Sequence, residues 1–216
     1  MKKIITTATV VLLTQFASIA LLAQSKKSKS FDEDIKISTR GGIGISTLSS
    51  SDAENTGQFK AGLGYFLGGI AEYRPKGSFG LLGGIAFEGK GASFNTSGTG
   101  LYFDYASYNL GYLDVMLGGV FYPAKKFKFE AALVPAFKIS ESVSYSYLGI
   151  RVINAETNSI KSVDLGAMLG MHYEFDKFTL GASYNLGLSN AAKENSDFKN
   201  LKNSNFLLNI SYNIEL

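Results

Sequence analysis

The sequence predicts an all-β chain, an eight-stranded antiparallel up-and-down transmembrane β-barrel. Three observations point there. Apolar and polar residues alternate with a period of two in eight segments, the connections between the segments are short and long in strict turn, and the charges fall on one of the two faces. The stretch FTLGASYNLGLSN at 178–190 carries the pattern most clearly. Phe178, Leu180, Ala182, Tyr184, Leu186 and Leu188 are apolar, and Thr179, Gly181, Ser183, Asn185, Gly187 and Ser189 stand between them.

Composition agrees with that class. Twenty-four glycines, 12 tyrosines and 16 phenylalanines against 3 prolines suit strands with close backbone approaches. The absence of cysteine removes disulfides and lipoprotein acylation, and with a single histidine it makes a transition-metal centre improbable. A formal charge of +3 is modest and its basic residues are scattered, so nothing points to nucleic acid.

The chain opens with Lys2 and Lys3, an apolar run to Leu22 and a small-residue site at 23–25, the layout of a secretory signal peptide over 1–23. Polar residues such as Thr6, Thr14 and Gln15 thin the run and argue against a retained membrane anchor. Cleavage after Ala23 puts Leu21 at the −3 position, and cleavage after Ser25 puts Ala23 there. Residues 24–34, with the lysines of KKSK at 26–29, read as a periplasmic N-terminal linker. The barrel domain is then 35–216, about the length of one domain.

Strands are expected near 35–47, 60–74, 79–93, 108–122, 127–140, 161–175, 178–190 and 204–216. The connections at 75–78, 123–126 and 176–177 are tight, and those near 48–59, 94–107, 141–160 and 191–203 are long. Minimal turns at one end and extended loops at the other are the layout of outer-membrane barrels, with turns in the periplasm and loops outside. Tyr73, Tyr102, Tyr105, Tyr173 and Tyr212 near strand ends suit an interfacial girdle.

The faces decide what surrounds the strands. Ile43 and Ile45 in the first segment, Phe129 and Leu133 in the fifth, Leu169 and Met171 in the sixth, and Phe206, Leu208 and Ile210 in the last share an apolar face without a charge. The opposite face carries Lys36, Arg40, Lys60, Arg74, Lys90, Lys128 and Lys138 with Glu72, Glu88, Asp114, Glu130, Asp164, Glu174 and Glu215, interleaved with Gly42, Gly44, Gly64, Gly68, Gly84, Gly166, Gly170 and Gly181. A soluble lipocalin-like barrel would turn its polar face to water and has little use for glycine there. The bore of an eight-stranded barrel is only wide enough for side chains, so small residues among opposite charges suit an inward face. A lysine or arginine facing the bilayer midplane costs about 2–4 kcal/mol, which accounts for the uncharged face.

Several stretches resemble a known family. SYNLGYLDVMLGGVFYP at 107–123, with its core of Tyr112, Leu113, Asp114 and Val115, is similar to the fourth strand of PorT-like outer-membrane β-barrel proteins of the Bacteroidetes. RGGIGIS at 40–46 resembles that family's first strand, GGIAFEGKGA at 83–92 its third and YNLGLSN at 184–190 its seventh. The chain departs from the pattern at Met116, where a proline is usual, and at Leu216, where many such chains end in an aromatic residue. The resemblance implies a fold and a location in the cell outer membrane. It leaves activity open, since the founding member takes part in protein secretion and most relatives have no defined role.

Little of the sequence suggests reaction chemistry. His172 would be the base of a lipid hydrolase only beside a serine nucleophile, and no serine-centred elbow is present. An inward imidazole bonded to Asp164 or Glu174 is the better reading. The acidic stretch SSSDAEN at 49–55 lacks a calcium-loop spacing, and GKGASFNTSGTG at 89–100 lacks the Lys-Ser or Lys-Thr of a phosphate loop. No catalytic, cofactor or metal site is expected. His172 and the charges above form the candidate set, a lumen network whose equal signs argue for mutual pairing rather than a selective pore.

The expected role is therefore a small outer-membrane barrel with a plugged or narrow lumen, acting as a structural or binding barrel through its extracellular loops. Its partners are outer-membrane lipid, the assembly machinery during biogenesis and a surface ligand or protein at the loops. The loop at 141–160 is the longest and the leading contact, although its apolar residues equally suit a hairpin that continues the strands above the membrane. A small solute channel and an accessory barrel of a secretion system are the alternatives.

Overall fold

A computed structural model describes residues 35–50, 59–75, 77–95, 105–147, 150–156, 159–193 and 200–214. The expected signal peptide (1–23), the linker (24–34), Tyr102 and Glu215 lie outside the described residues, as does the side chain of Tyr105. Among the described residues nine strands form: β1 (Ile35–Ser49), β2 (Phe59–Tyr73), β3 (Phe79–Asn95), β4 (Tyr105–Ala124), β5 (Phe127–Tyr147), β6 (Ile150–Glu156), β7 (Val163–Phe175), β8 (Phe178–Gly187) and β9 (Lys202–Ile214). All pairings are antiparallel. Eight strands close on themselves, because β1 pairs with β9 and β4 pairs with β5, while β6 attaches only to β5. Closure gives each of the eight barrel strands two neighbours, so no barrel edge meets hydrocarbon with unpaired amides.

The tight connections follow from local chemistry. Asp176 sits at φ 52 in the two-residue link between β7 and β8, a left-handed conformation that aspartate tolerates better than most residues. The link between β2 and β3 carries Pro75 and Gly77, and Gly77 takes φ 142, which needs the missing side chain.

Four expectations on strand length are corrected. β4 and β5 run further than their periodicity announced. Residues 142–147 of β5 lie beyond the reach of β7 and pair instead with β6, so the 141–160 segment contains a hairpin above the barrel. The strand expected over 178–190 ends at Gly187, and the one expected from 161 begins at Val163. Leu188 and Ser189 both donate backbone N–H groups to Leu165 O, which folds the chain inward over the mouth.

The faces separate as alternation demands. Ile43, Leu63, Leu117, Leu169 and Leu208 on the outside are each at least 60 % exposed, whereas Arg40, Glu88, Lys128 and Asn205 inside are at most 2 % exposed. Aromatic rings gather at the tight-turn end. Phe79 stacks on Phe121 with centroids 4.7 Å apart, and Tyr173, Phe175, Phe178 and Tyr212 form a continuous run of ring contacts. Such a belt suits the boundary between hydrocarbon and water.

Candidate functional site: the barrel interior

The inward side chains form layers. Nearest the tight turns, Arg40 on β1 grips Glu130 on β5 with both terminal nitrogens, each 2.7 Å from a carboxylate oxygen, and its Nε donates to Ser211 Oγ at 3.0 Å. Lys128 lies 3.2 Å from Glu130 and 3.5 Å from Glu174 and bonds Glu72. Tyr122 donates to Glu72 Oε2 at 2.6 Å, and Lys36 pairs with Glu174 at 2.7 Å. Three cations thus face three carboxylates, as burial requires: an unpaired ion here would cost several kcal/mol, about 3–5 when one partner is removed. The fork of a guanidinium matches a carboxylate at both prongs, which is why an arginine spans the bore here.

His172 belongs to this layer, and its partner differs from the expected one. Its Nε2 lies 3.1 Å from Glu130 Oε2. Asp164 stands eight residues up the same strand, roughly 26 Å away at 3.3 Å per residue, and Glu174 is engaged by Lys36. The imidazole lies flat against Gly181 on β8, where a Cβ would come within 2.0 Å of Nδ1. Only a glycine admits the ring at that place.

Above the charges comes an apolar layer of Phe66, Ile70, Leu82, Ala86, Met116, Ala132, Val134, Met168 and Leu207, all nearly inaccessible. Sequence reasoning assigned the inner face to polar and small residues and missed these. Leu81-Leu82 and Leu207-Leu208 carry the signal, since two adjacent leucines in a strand must point to opposite faces.

A second polar layer follows. Glu88 Oε1 accepts from Asn185 Nδ2 at 2.8 Å and Asn205 Nδ2 at 2.7 Å, and its Oε2 lies 3.0 Å from Lys90 Nζ. The Lys90 ammonium also sits 4.8 Å over the ring of Tyr112. Asn203 Nδ2 donates to Asp164 Oδ2 at 2.7 Å, and Ser189 donates to Asp164 Oδ1 at 2.6 Å. Asp114 is 1 % exposed, and its carboxyl lies against that of Glu88. The asparagines were missed because only charges were followed, yet the period of β9 places Asn203, Asn205 and Asn209 on the inner face.

The mouth opposite the turns is covered by two segments of connecting chain. Ile160 bridges Ala192, Lys161 N donates to Ala191 O at 2.7 Å and Ala191 N donates to Leu201 O at 2.8 Å. Glu141 accepts from the backbone of Ser159 at 2.8 Å and Ile160 at 3.3 Å, and Lys138 bonds both Glu141 and Ile160 O. Ile160, Ala191, Ala192 and Leu201 pack on Leu48, Leu110 and Tyr112.

Glu141 escaped the sequence reading because a bulge at Ile139 breaks the alternation, shifting the pairing from Tyr112–Lys138 to Gly111–Ser140 and turning Glu141 inward. A second register shift between Ala61 and Tyr65 removes Lys60 from the expected inner set. It sets Lys60 opposite Ser93 and leaves it exposed at the rim. Arg74 is also exposed, beyond the end of β2, with its guanidinium 4.1 Å over the ring of Tyr122.

A closed eight-stranded barrel with an apolar outer belt and an inward polar set defines an outer-membrane barrel protein. The chain matches the model of the outer membrane protein beta-barrel domain over residues 22–193 and belongs to that family, whose place is the cell outer membrane. Among solved structures it is similar to Ail, the attachment invasion locus protein of Yersinia pestis, in complex with the heparin analogue sucrose octasulfate. The identity is 17%, with 84% of this chain and 99% of that chain covered at a TM-score of 0.49. Neisserial surface protein A is 14% identical, with 82% and 96% covered and a TM-score of 0.49. The N-terminal β-barrel domain of Pseudomonas aeruginosa OprF is 12% identical, with 84% and 98% covered and a TM-score of 0.38. No curated protein matches the chain.

Proposed function

We propose that this protein is a solute-tight outer-membrane anchor that acts without catalysis, by presenting its extracellular loops and the β5–β6 hairpin to a surface ligand or protein partner. The observation that carries this reading is the apolar layer of Phe66, Ile70, Leu82, Met116, Met168 and Leu207 across the bore between two polar layers. A hydrophobic constriction of that kind, packed by side chains, opposes the passage of hydrated solutes. The enclosure of His172, 1 % exposed among Glu130, Lys128 and Gly181, supports a positional rather than a catalytic imidazole. In this reading residues 1–23 direct export and are removed, 24–34 lie in the periplasm, and the PorT-like strand motifs mark the lineage.

The test has two parts. Planar-bilayer recordings of the refolded barrel are expected to stay silent, and discrete conductance steps would replace this reading with a channel. Replacing 141–160 by a short turn is expected to abolish capture of a surface partner while the barrel keeps its heat-modifiable migration on gels. Unchanged capture would remove the hairpin from the contact.

A further inference from the structure

The two polar layers differ in their charge balance. In the lower layer Lys36, Arg40 and Lys128 face Glu72, Glu130 and Glu174. In the upper layer Glu88, Asp114 and Asp164, each at most 3 % exposed, face Lys90, and the nearby Lys138 is engaged by Glu141. Among the described residues the upper layer holds more carboxyl groups than cations.

The same layer is short of donors. Asn203 and Asn185 give their amide N–H groups to Asp164 and Glu88, so the orientation of each amide is set and its oxygen is left over. Asn185 Oδ1, Asn203 Oδ1 and Asn205 Oδ1 are buried without a hydrogen-bond partner. All three are acceptors. Asp164, Asn185 and Asn203 line one cavity of ≈ 10 Å³, about the room of a single water or a bare ion.

We propose that this chamber binds one hard divalent cation of the calcium class, with oxygen ligands from Asp164, Asn203 and Asn185. No three carboxylate or imidazole groups among the described residues converge as a metal centre. The ligand set therefore draws on amide oxygens, which suit calcium and not zinc. Calcium also accepts irregular geometry, whereas magnesium demands a near-ideal octahedron. Lys90 borders the cavity, but Glu88 and the ring of Tyr112 hold its ammonium. The ion offsets the excess of carboxyl groups and gives Asn185 Oδ1 and Asn203 Oδ1 a partner. The segments at 159–162 and 188–193 lie over the chamber.

The test uses the whole chain refolded in detergent with either calcium chloride or EDTA. Equilibrium dialysis against radioactive calcium is expected to give one saturable site per chain, and the thermal midpoint is expected to rise with calcium concentration. Asp164→Asn and Asn203→Ala are each expected to lose that site, with at least a tenfold fall in affinity. Asp114→Asn probes the rival account, in which protons rather than a cation relieve that excess. A wild type that binds no calcium at millimolar concentration overturns the proposal, and an Asp114→Asn midpoint at or above wild type then favours the rival account. So does an equal rise of midpoint in sodium chloride of matched ionic strength. Retention of the site in both Asp164→Asn and Asn203→Ala assigns the ion to the loops and also overturns it. If neither variant folds, the calcium titration of the wild type decides.

Discussion

Arg40 on β1 and Glu130 on β5 meet across the bore through two parallel bonds of 2.7 Å, although 90 positions separate them in the chain. The pair ties opposite walls of the barrel together, and both residues are at most 2 % exposed. Removal of one partner leaves a buried ion. Glu130→Ala is therefore expected to destabilise the barrel by about 3–5 kcal/mol, whereas the double change Arg40→Met with Glu130→Leu is expected to lie within about 1 kcal/mol of wild type or above it. Urea titration in lipid vesicles, followed by tryptophan-free far-UV circular dichroism, measures both. A single variant as stable as wild type would contradict the pairing.

A second expectation concerns glycine. At Gly44 an added Cβ would stand 1.8 Å from the carbonyl oxygen of Phe206, a backbone atom of the neighbouring strand that cannot turn aside. At Gly83 the nearest atom, Met116 O, is 4.0 Å away. Gly44→Ala is expected to cost at least about 1–3 kcal/mol by overpacking, and Gly83→Ala to be neutral or slightly stabilising. The two unfolding midpoints are compared under one set of conditions. Equal midpoints would mean that glycine serves composition here and not close approach.

Much of this architecture was legible because one physical rule governs each strand. Hydrocarbon on one side and a narrow bore on the other force a period of two, and Ile43, Leu169 and Leu208 can be assigned outward by counting. The rule fails where a bulge inserts a residue. Lys60 and Glu141 exchanged their expected roles for that reason, and no feature of residues 59–65 or 138–141 announces a shift in register. Pairing across the bore was equally hidden. Balanced charge implied that Arg40 had a carboxylate partner, but whether it was Glu130 or Glu72 depends on how eight strands stagger, which no single strand encodes. The apolar layer was readable from paired leucines and was passed over in favour of charge.

The outer belt yields a third expectation. Leu208 lies mid-strand on β9, 60 % exposed, between Ile43 on β1 and Ala182 on β8. Leu208→Arg is expected to lower stability in vesicles by about 2–4 kcal/mol, the depth-dependent cost of a cation facing lipid. Gradual thinning of the host bilayer should reduce the penalty, as the guanidinium reaches the interface. Loss of the effect in thick and thin vesicles alike would place water rather than lipid against this face.

The cap over the mouth gives the last. Glu141 accepts the backbone N–H groups of Ser159 and Ile160, and Lys138 donates to the carbonyl of Ile160 from the same strand. These bonds hold a short segment that otherwise rests on backbone bonds to 191–193 and Lys138 and on the apolar contacts of Ile160. In Glu141→Ala the buried amide of Ile160 and the half-buried amide of Ser159 lose their acceptor, the buried one at a cost of about 1–3 kcal/mol. That loss is local, because the barrel strands keep their own ladder of bonds. Hydrogen exchange is therefore expected to accelerate by at least about tenfold at 159–162 and 188–193, one factor of ten for each 1.4 kcal/mol. Amides of β1, β8 and β9 should exchange as in the wild type. Uniform acceleration through the barrel would show that Glu141 supports the sheet, while no change at 159–162 would mean that the backbone bonds to 191–193 and apolar packing retain the cap without it.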